Sequence, residues 1–562
     1  MVFRSKHFNK QLEQVDVFFK DTDTCPILFN IENQKNSNHC YVSNSIWEDI
    51  NINEWIENIS PYKNTHHFLE SYLKTPINNS SELKKRQASL RYFQKTNLPC
   101  IWNSSEELSS NWNWVLSLDS ELKNYLMDTL YPRSWPMKGL CYHTTLLSGY
   151  QIYRSYISPI TQSIYPISVL FGPYIYLRKK LKWNLSLKAY LTFIGQGLQW
   201  IYKNTHLEFK NLAMILVYVA IYIYSFILAI DLSNQLRKYR QRILSRMKQL
   251  TQTIQKFQQI LKNIPNDFWE SYVPSLKRDK LMKPWKGSSY MFYRLWKYPA
   301  ERDRLKDIYT AMTIYDGLQS LSKLYKKQNN DWCFPTYNYK QPTNYFSMKH
   351  PLLLNAVSNP ICMKKNLIMT GPNAGGKTTY VKSFLWNILL SQTFGISRSN
   401  KGNIKPYEAI LHHDRIKDLI GSQSLFEAEM TKAKEVLEIS KKYPYSIYFM
   451  DEPFHSTPPI DGAAMLKAMM VYLSTNTSCK MILTTHYFSV QDLEQDYPSL
   501  FKNISVEGER IDNKYHFTYR IKSGFSKQSI GIELLETREF PPMLIQTAIK
   551  MKNKIYDIHI NV

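Results

Sequence analysis

Leu367-Ile-Met-Thr-Gly-Pro-Asn-Ala-Gly-Gly-Lys-Thr378 is the stretch on which the reading of this chain turns. An apolar run, Leu367 to Met369, feeds a glycine-rich turn, and an amphipathic segment from Thr379 to Leu390 comes next. Gly371 and Gly376 stand at the G-x-x-x-x-G-K-[ST] spacing. Such a loop turns successive backbone N–H groups onto phosphate oxygens, which needs residues tolerant of unusual φ. The helix behind it aims its positive end at the same anion. The expected nucleotide-binding residues are Gly371, Pro372, Asn373, Ala374, Gly375, Gly376, Lys377, Thr378 and Thr379. Lys377 is placed to reach the β/γ-phosphates and the Thr378 hydroxyl to bind Mg²⁺, so ATP and Mg²⁺ are the expected cofactors. A chance glycine turn would not need to come in strand, loop, helix order.

Two further apolar runs extend this reading. Ser446 to Met450 has buried-strand character and ends in Asp451-Glu452. The first carboxylate can hold the Mg²⁺ hydration shell, and the second can polarise a water for in-line attack on the γ-phosphate. Met481 to Thr485 ends in His486, a polar group placed to sense that phosphate.

Together these blocks resemble the ATPase domain of the MutS family. The resemblance is carried by Thr370-Gly-Pro-Asn-Ala-Gly-Gly-Lys-Thr-Thr-Tyr380, Asp418-Leu-Ile-Gly-Ser-Gln-Ser-Leu-Phe-Glu-Ala-Glu-Met430, Asp451-Glu452 with Asp461-Gly462, Thr484-Thr-His-Tyr487 and Gly524-Phe-Ser-Lys-Gln-Ser-Ile-Gly531, five blocks in family order. It implies that Asn373, Lys377 and Thr378 contact nucleotide and metal. It also implies that Asp451 holds the metal, that Glu452 is the catalytic base, and that His486 is the switch histidine. Ser424 and Glu429 match the signature segment, whose serine reaches the other subunit's nucleotide. That implies a composite site and a homodimer with C-terminal dimerisation helices. There are departures. Thr378 replaces the usual Ser, Ser422 stands where Gly is usual, and Pro453-Phe-His-Ser-Thr-Pro-Pro459 lacks the usual glycines.

The 562 residues are enough for three or four domains, and 44% are hydrophobic, enough for real cores. A net charge of +25 favours an anionic partner, nucleic acid or an anionic membrane surface. A chain rich in Lys, Asn, Ile and Tyr could equally reflect an AT-rich genome. Seven dispersed cysteines without a C-x-x-C pair argue against a zinc or disulfide framework and indicate a reducing compartment. The start lacks the apolar core of a signal peptide, so an intracellular protein with its ATPase on the cytoplasmic side is expected.

Upstream, apolar residues recur at helical spacing in 66–95, with Arg86-Gln87 resembling the start of the MutS helical core. Leu244, Met247, Leu250, Ile254, Phe257 and Leu261 repeat at steps of three and four, as do Ile308, Met312, Tyr315, Leu318, Leu321 and Leu324. Trp332-Cys-Phe-Pro335 and Lys349-His-Pro351 resemble the family's connection into the ATPase domain. Between the helical arms, Ser155–Leu177 carries no charge before Arg178, nor does Asn211–Ile230, and roughly 20 apolar residues match a bilayer core. These runs read as a membrane hairpin or as buried core helices. Arg178, Lys179, Lys180, Lys182, Lys188, Lys203 and Lys210 lie between them and should stay cytoplasmic, which conflicts with a simple hairpin. A re-entrant or interfacial arrangement with Leu185–Tyr202 on the surface would resolve the conflict, and the sequence does not choose between these.

The fold expected is α plus α/β: an N-terminal segment over 1–60, a helical lever over 61–138 and 236–330, a hydrophobic insertion over 139–235, and a P-loop ATPase domain of the ABC/MutS type over 331–562. About 60 residues before the lever are too few for the family's mismatch reader. Phe68-Leu-Glu70 and Phe268-Trp-Glu270 match its wedge pattern by chance. No base-contacting residue can be named. The expected function is a dimeric ATPase moving a lever whose tips meet membrane lipid. Its rivals are a DNA-binding repair or recombination protein and a non-hydrolysing scaffold, against which the Asp451-Glu452 pair speaks.

Overall fold

The computed structural model describes residues 39–96, 134–204, 209–265, 276–327, 331–372, 375–413, 425–511, 514–526 and 540–560, with the short stretches 98–99, 114–115 and 129–132 and a few single positions between them. The chain divides into two units: Met1–Ile27, Ile101–Ile264 and Lys277–Tyr309 form one, and Leu28–Cys100, Pro265–Leu276 and Thr310–Val562 form the other.

The second unit holds the phosphate loop. Its strands in chain order are β1 (Tyr41–Val42), β2 (Thr336–Tyr337), β3 (Asn344–Met348), β4 (Asn359–Cys362), β5 (Asn366–Thr370), β6 (Lys401–Ile404), β7 (Ala409–His413), β8 (Ser446–Asp451), β9 (Lys480–Thr484), β10 (Phe501–Ile511) and β11 (Lys514–Ser523). Seven form a sheet in the order β1-β7-β8-β9-β5-β10-β11, parallel throughout except for the β10–β11 hairpin. The other four form a smaller sheet, β2-β6-β3-β4. Parallel strands are covered on both faces, so they read as unbroken apolar runs. All five residues of β5 are buried, as are the first five of β8.

Alternation along the strands sends successive side chains to opposite layers. Ile368, Tyr448, Met450, Met481 and Leu483 pack with Leu466, Met470 and Leu473 of helix Pro459–Asn476 and with Val436 of helix Leu425–Lys442. Phe449 points the other way and meets Phe384 of helix Lys377–Thr393, ring centroids 5.7 Å apart.

That phosphate-loop helix is almost wholly buried because residues far upstream wrap it. Strand β1 lies beside β7, and Asp49 pairs with Lys382 of the helix. Ile77 N–H donates to Gln392 O at 2.8 Å. Helix Ser80–Lys95, capped by the Asn79 side chain, brings the Arg86 guanidinium onto Thr393 O. The Gln87 amide donates to Pro335 O at 2.8 Å and to Gly395 O at 3.0 Å. Arg86 and Gln87 are buried, so the pair ties this helix to the turn ending the phosphate-loop helix.

The first unit is helical. Its longest element is the helix Phe209–Leu261, 53 residues and about 80 Å at 1.5 Å per residue. Met247, Leu250, Ile254, Phe257 and Leu261 are buried as the spacing predicts, while Leu244 is half-buried. The second repeat lies on helix Pro299–Lys327, which belongs to the second unit from Thr310 onward; Ile308, Met312, Tyr315, Leu318 and Leu321 on it are all fully buried, and Leu324 is half-buried. Glu301 is held by Arg294, by Arg304 at 3.1 Å and by the Trp285 indole at 3.0 Å. Those partners hold its carboxyl below the usual range against the opposing effect of burial. Ser158–Lys179 and Leu187–Asn204 are helices, and Ser233 on the long helix donates to Ser155 O at 2.7 Å.

Among the described residues no helix is long and apolar enough to cross a membrane. The transmembrane reading of 155–177 and 211–230 therefore has no support here; the side chains of 159, 160, 162, 163, 165–167, 169 and 170 in the first run, and of 211–216, 218 and 219 in the second, lie outside the described residues. The described part of that run is exposed rather than buried in a core: Ile223, Ile227 and Ile230 all face outward.

Gln87→Leu leaves two buried carbonyls without their donor. It should lower the unfolding free energy by about 2 kcal/mol, read as a shift of the urea midpoint; an unchanged midpoint would show that the amide does not tie the helix down.

Candidate functional site

Gly371 opens the phosphate loop at φ +139°. A Cβ there would lie 2.4 Å from Val506 O on β10, so no other residue fits. Gly376 closes the loop in the left-handed region, φ +88°, as the N-cap of helix Lys377–Thr393. Asn373 and Ala374 lie outside the described residues; Gly375 and Pro372 are joined by the bond from Gly375 N–H to Pro372 O, 3.0 Å.

Lys377 is buried and donates to Gly371 O at 2.7 Å, back across the mouth of the loop. Burial pulls its ammonium below the usual lysine range, against the pull of Glu452 and Asp451. Thr378 donates to Asp451 Oδ2 at 3.1 Å. Asp451 also accepts from Thr484 at the end of β9. The hydroxyl and carboxylate expected to share Mg²⁺ thus stand together. No group of three His, Cys, Asp or Glu suited to a metal occurs among the described residues. One hydroxyl and one carboxylate fit a hard ion that takes its other ligands from phosphate and water.

Glu452 comes next with φ +49°, an uncommon conformation for a non-glycine residue that clusters at functional sites. Its amide donates to Thr484 O at 3.1 Å, and its carboxylate lies 2.8 Å from His486 Nε2. The expected base and switch histidine are therefore in direct contact, and His486 is about half exposed. The Tyr487 hydroxyl donates to Phe454 O at 2.7 Å, and a Cβ on Gly462 would lie 2.6 Å from that hydroxyl. This explains the Asp461-Gly462 block: the glycine makes room for the tyrosine that pins the 453–459 turn. Ser526 N–H donates to Thr370 Oγ1 at 2.8 Å, which brings the start of the last block to the end of β5.

Ser422 and Ser424 lie outside the described residues, as does the rest of the last block, Lys527 to Gly531. Glu429 is fully buried and accepts from Ser456 of its own chain. His455 Nδ1 is 2.9 Å away, without the alignment of a hydrogen bond.

The motifs do not reveal the neighbouring pocket. A cavity of about 310 Å³ opens beside Gly376 and Thr379, lined by His350, Val357, Asn359, Tyr380 and Tyr519 among others. Asn359 fixes the far wall by donating to Tyr519 O at 2.8 Å and accepting from Ile521 N–H at 2.9 Å. Burial, with the charges of Arg398 and Lys382, pushes His350 down to about 4, so it is neutral at physiological pH. The cavity suits a flat aromatic base next to bound phosphates. Its one trace in the sequence is Lys349-His-Pro351, which reads as a connection into the ATPase domain; Tyr519 lies some 170 residues downstream.

Residues 367–556 match the family model for MutS domain V. The chain is similar to the DNA mismatch repair protein MutS of Listeria monocytogenes serotype 4a, 27% identical over 263 residues, covering 45% of this chain and 30% of that protein. The same protein of Acholeplasma laidlawii is 27% identical over 266 residues, covering 46% and 30%, and that of a Geobacillus strain is 28% identical over 255, covering 44% and 29%. The chain thus spans less than a third of the length of these relatives.

Gly371→Ala should abolish nucleotide binding while leaving the far-ultraviolet circular dichroism unchanged, because the clash falls on backbone. Retained binding of a fluorescent ATP analogue would show that the loop closes differently.

Proposed function

We propose that this chain, which belongs to the MutS family through its domain V, is a Mg²⁺-dependent ATP hydrolase that works as a dimer. The reading is carried by one observation: Thr378, Asp451, Glu452 and His486 meet at the mouth of the Gly371–Gly376 loop. Bound Mg²⁺, held by Thr378 and Asp451, would neutralise charge on the β- and γ-phosphates. Lys377 exchanges its bond to Gly371 O for phosphate oxygens. Glu452 takes a proton from a water whose oxygen attacks the γ-phosphorus in line, as the bond to the β-γ bridging oxygen breaks and ADP leaves. His486 holds the Glu452 carboxylate in place until the γ-phosphate is present. The pocket at His350 and Tyr519 takes the adenine.

The same reading has Ser424 complete the site of the other subunit. Nucleotide state then moves the helical unit, and the hydrophobic segment within 139–235 meets a membrane, with the ATPase on the cytoplasmic side. A second reading, a DNA-binding repair or recombination protein, is favoured by the +25 charge and by the relatives' description as DNA mismatch repair proteins. Its basic residues would contact the phosphate backbone.

Glu452→Gln should keep ATP binding and lower turnover by about 10²-fold or more, and Lys377→Ala should weaken binding itself. Steady-state phosphate release decides, and wild-type turnover in Glu452→Gln overturns the base assignment. Mixing Ser424→Ala with Lys377→Ala chains should restore part of the activity that each lacks alone. Full activity of a strict monomer would contradict the shared site.

A further inference from the structure

From 129 to 207 the sequence contains nine Lys or Arg and no Asp or Glu. Five of the nine, Arg178, Lys179, Lys180, Lys182 and Lys188, are exposed around the turn between helices Ser158–Lys179 and Leu187–Asn204. Large apolar side chains stand exposed among them: Trp183 is 57% accessible, Phe193 71% and Trp200 67%. Phe193 and Trp200, seven residues apart, share one face of their helix. Tyr190 alone of the described side chains on that helix is buried, against Tyr174 with ring centroids 5.1 Å apart. A groove of about 590 Å³ runs along the turn, lined by Leu177, Trp183, Leu185, Tyr190 and Phe193, with Lys188 at its edge.

Resting on the membrane reading of the 139–235 segment, we propose that this turn and the helix Leu187–Asn204 seat in the interface of a bilayer rich in anionic phospholipid, without spanning it. The physical grounds are joint. Exposed tryptophan and phenylalanine on a helix with lysines beside them are the composition of an interfacial helix, whose aromatic rings sit at headgroup level. Large aromatic side chains exposed together along one turn and helix mark an interaction surface. The charge is of one sign, complementary to anionic headgroups, and each cation near such a surface strengthens attachment. Duplex DNA would use the cations but leave the aromatic and aliphatic side chains in water, so the lipid surface fits both halves of the patch.

The test is flotation of the full chain, made by cell-free translation in the presence of vesicles. One arm uses phosphatidylcholine alone and the other phosphatidylcholine with phosphatidylglycerol. The chain should float with the anionic vesicles and at least tenfold less with the neutral ones. K179Q/K180Q/K182Q should weaken partition onto anionic vesicles about 100-fold, and F193S/W200S should lose it while keeping every charge. Both variants should retain ATP binding, which reports folding; because they alter different chemistry, failure of one to fold leaves the other to decide. Equal flotation on both vesicle types, or unchanged flotation of either folded variant, overturns the anionic-lipid assignment and leaves the membrane reading standing. Flotation on neither overturns both. In that case, salt-sensitive retention on duplex DNA, lost in the lysine variant, would assign the patch to nucleic acid.

Discussion

Everything at the site depends on the register of three neighbouring parallel strands. Met369 of β5 pairs with Thr484 of β9, and Thr484 pairs with Asp451 of β8. Because the strands run the same way, their carboxyl ends emerge on one edge, and the residues after each strand are delivered to the same place. The phosphate loop comes off β5, Glu452 off β8, and His486 off β9. A slip of one residue in β8 would turn Asp451 to the opposite face of the sheet and separate it from Thr378. Burial of Ile368, Met450 and Leu483 in one layer and of Phe449 in the other fixes that register. The apolar core and the chemistry are therefore one constraint: alternation of buried side chains along β8 determines where its terminal carboxylate points.

The charges at this edge are paired within the chain. Lys377 is bonded to Gly371 O, Asp451 to two hydroxyls, and Glu452 to His486. Unpaired, each would carry a desolvation cost where it is partly buried. In the proposed reaction a triphosphate therefore exchanges partners rather than filling a set of waiting charges. Such an exchange makes the loop responsive to the ligand's full charge. The left-handed backbone at Glu452 places its carboxylate beyond the strand end, where it reaches His486 rather than continuing the ladder.

The same physics decides how much of the molecule is legible in the sequence. Strands buried on both faces are unbroken apolar runs, so β5, β8 and β9 can be read together with the residues that end them. The helical repeat around Met247 is legible because one face of that helix packs, whereas the repeat around Ile308 is legible although 311–322 are buried all round, because Thr313, Asp316 and Gln319 fall between its apolar steps. Strand β1 is not, since two residues, Tyr41 and Val42, leave no period, and among the described residues they join the sheet through β7. Nor is the role of Arg86 and Gln87 in holding the phosphate-loop helix, because their partners Thr393, Pro335 and Gly395 lie about 250 to 310 residues away. The cavity beside Gly376 is hidden for the same reason, built from segments near 350, 380 and 519. The partner of Glu429 is Ser456, which lies in the stretch where this chain departs from the family pattern.

The basic charge of the chain can also be separated from its composition. An AT-rich coding bias supplies lysine, and it supplies no reason to remove acids. Lys and Arg occur between 129 and 207 at nearly the density of the whole chain, nine in 79 residues against 71 in 562. At the chain's own frequency of Asp and Glu, 46 in 562, that stretch would hold about six acids, and it holds none. It thus carries nine of the net +25 charges, and about six of those nine come from missing carboxylates rather than from an excess of lysine. Carboxylates there would repel an anionic surface and would be costly to carry into the edge of a bilayer, whereas lysine stems can lie along apolar surface with their ammonium groups in the headgroup layer. On the interfacial reading proposed above, the acid-free stretch and the exposed aromatic residues are two expressions of one requirement, contact with a surface that is apolar beneath and negative at its boundary.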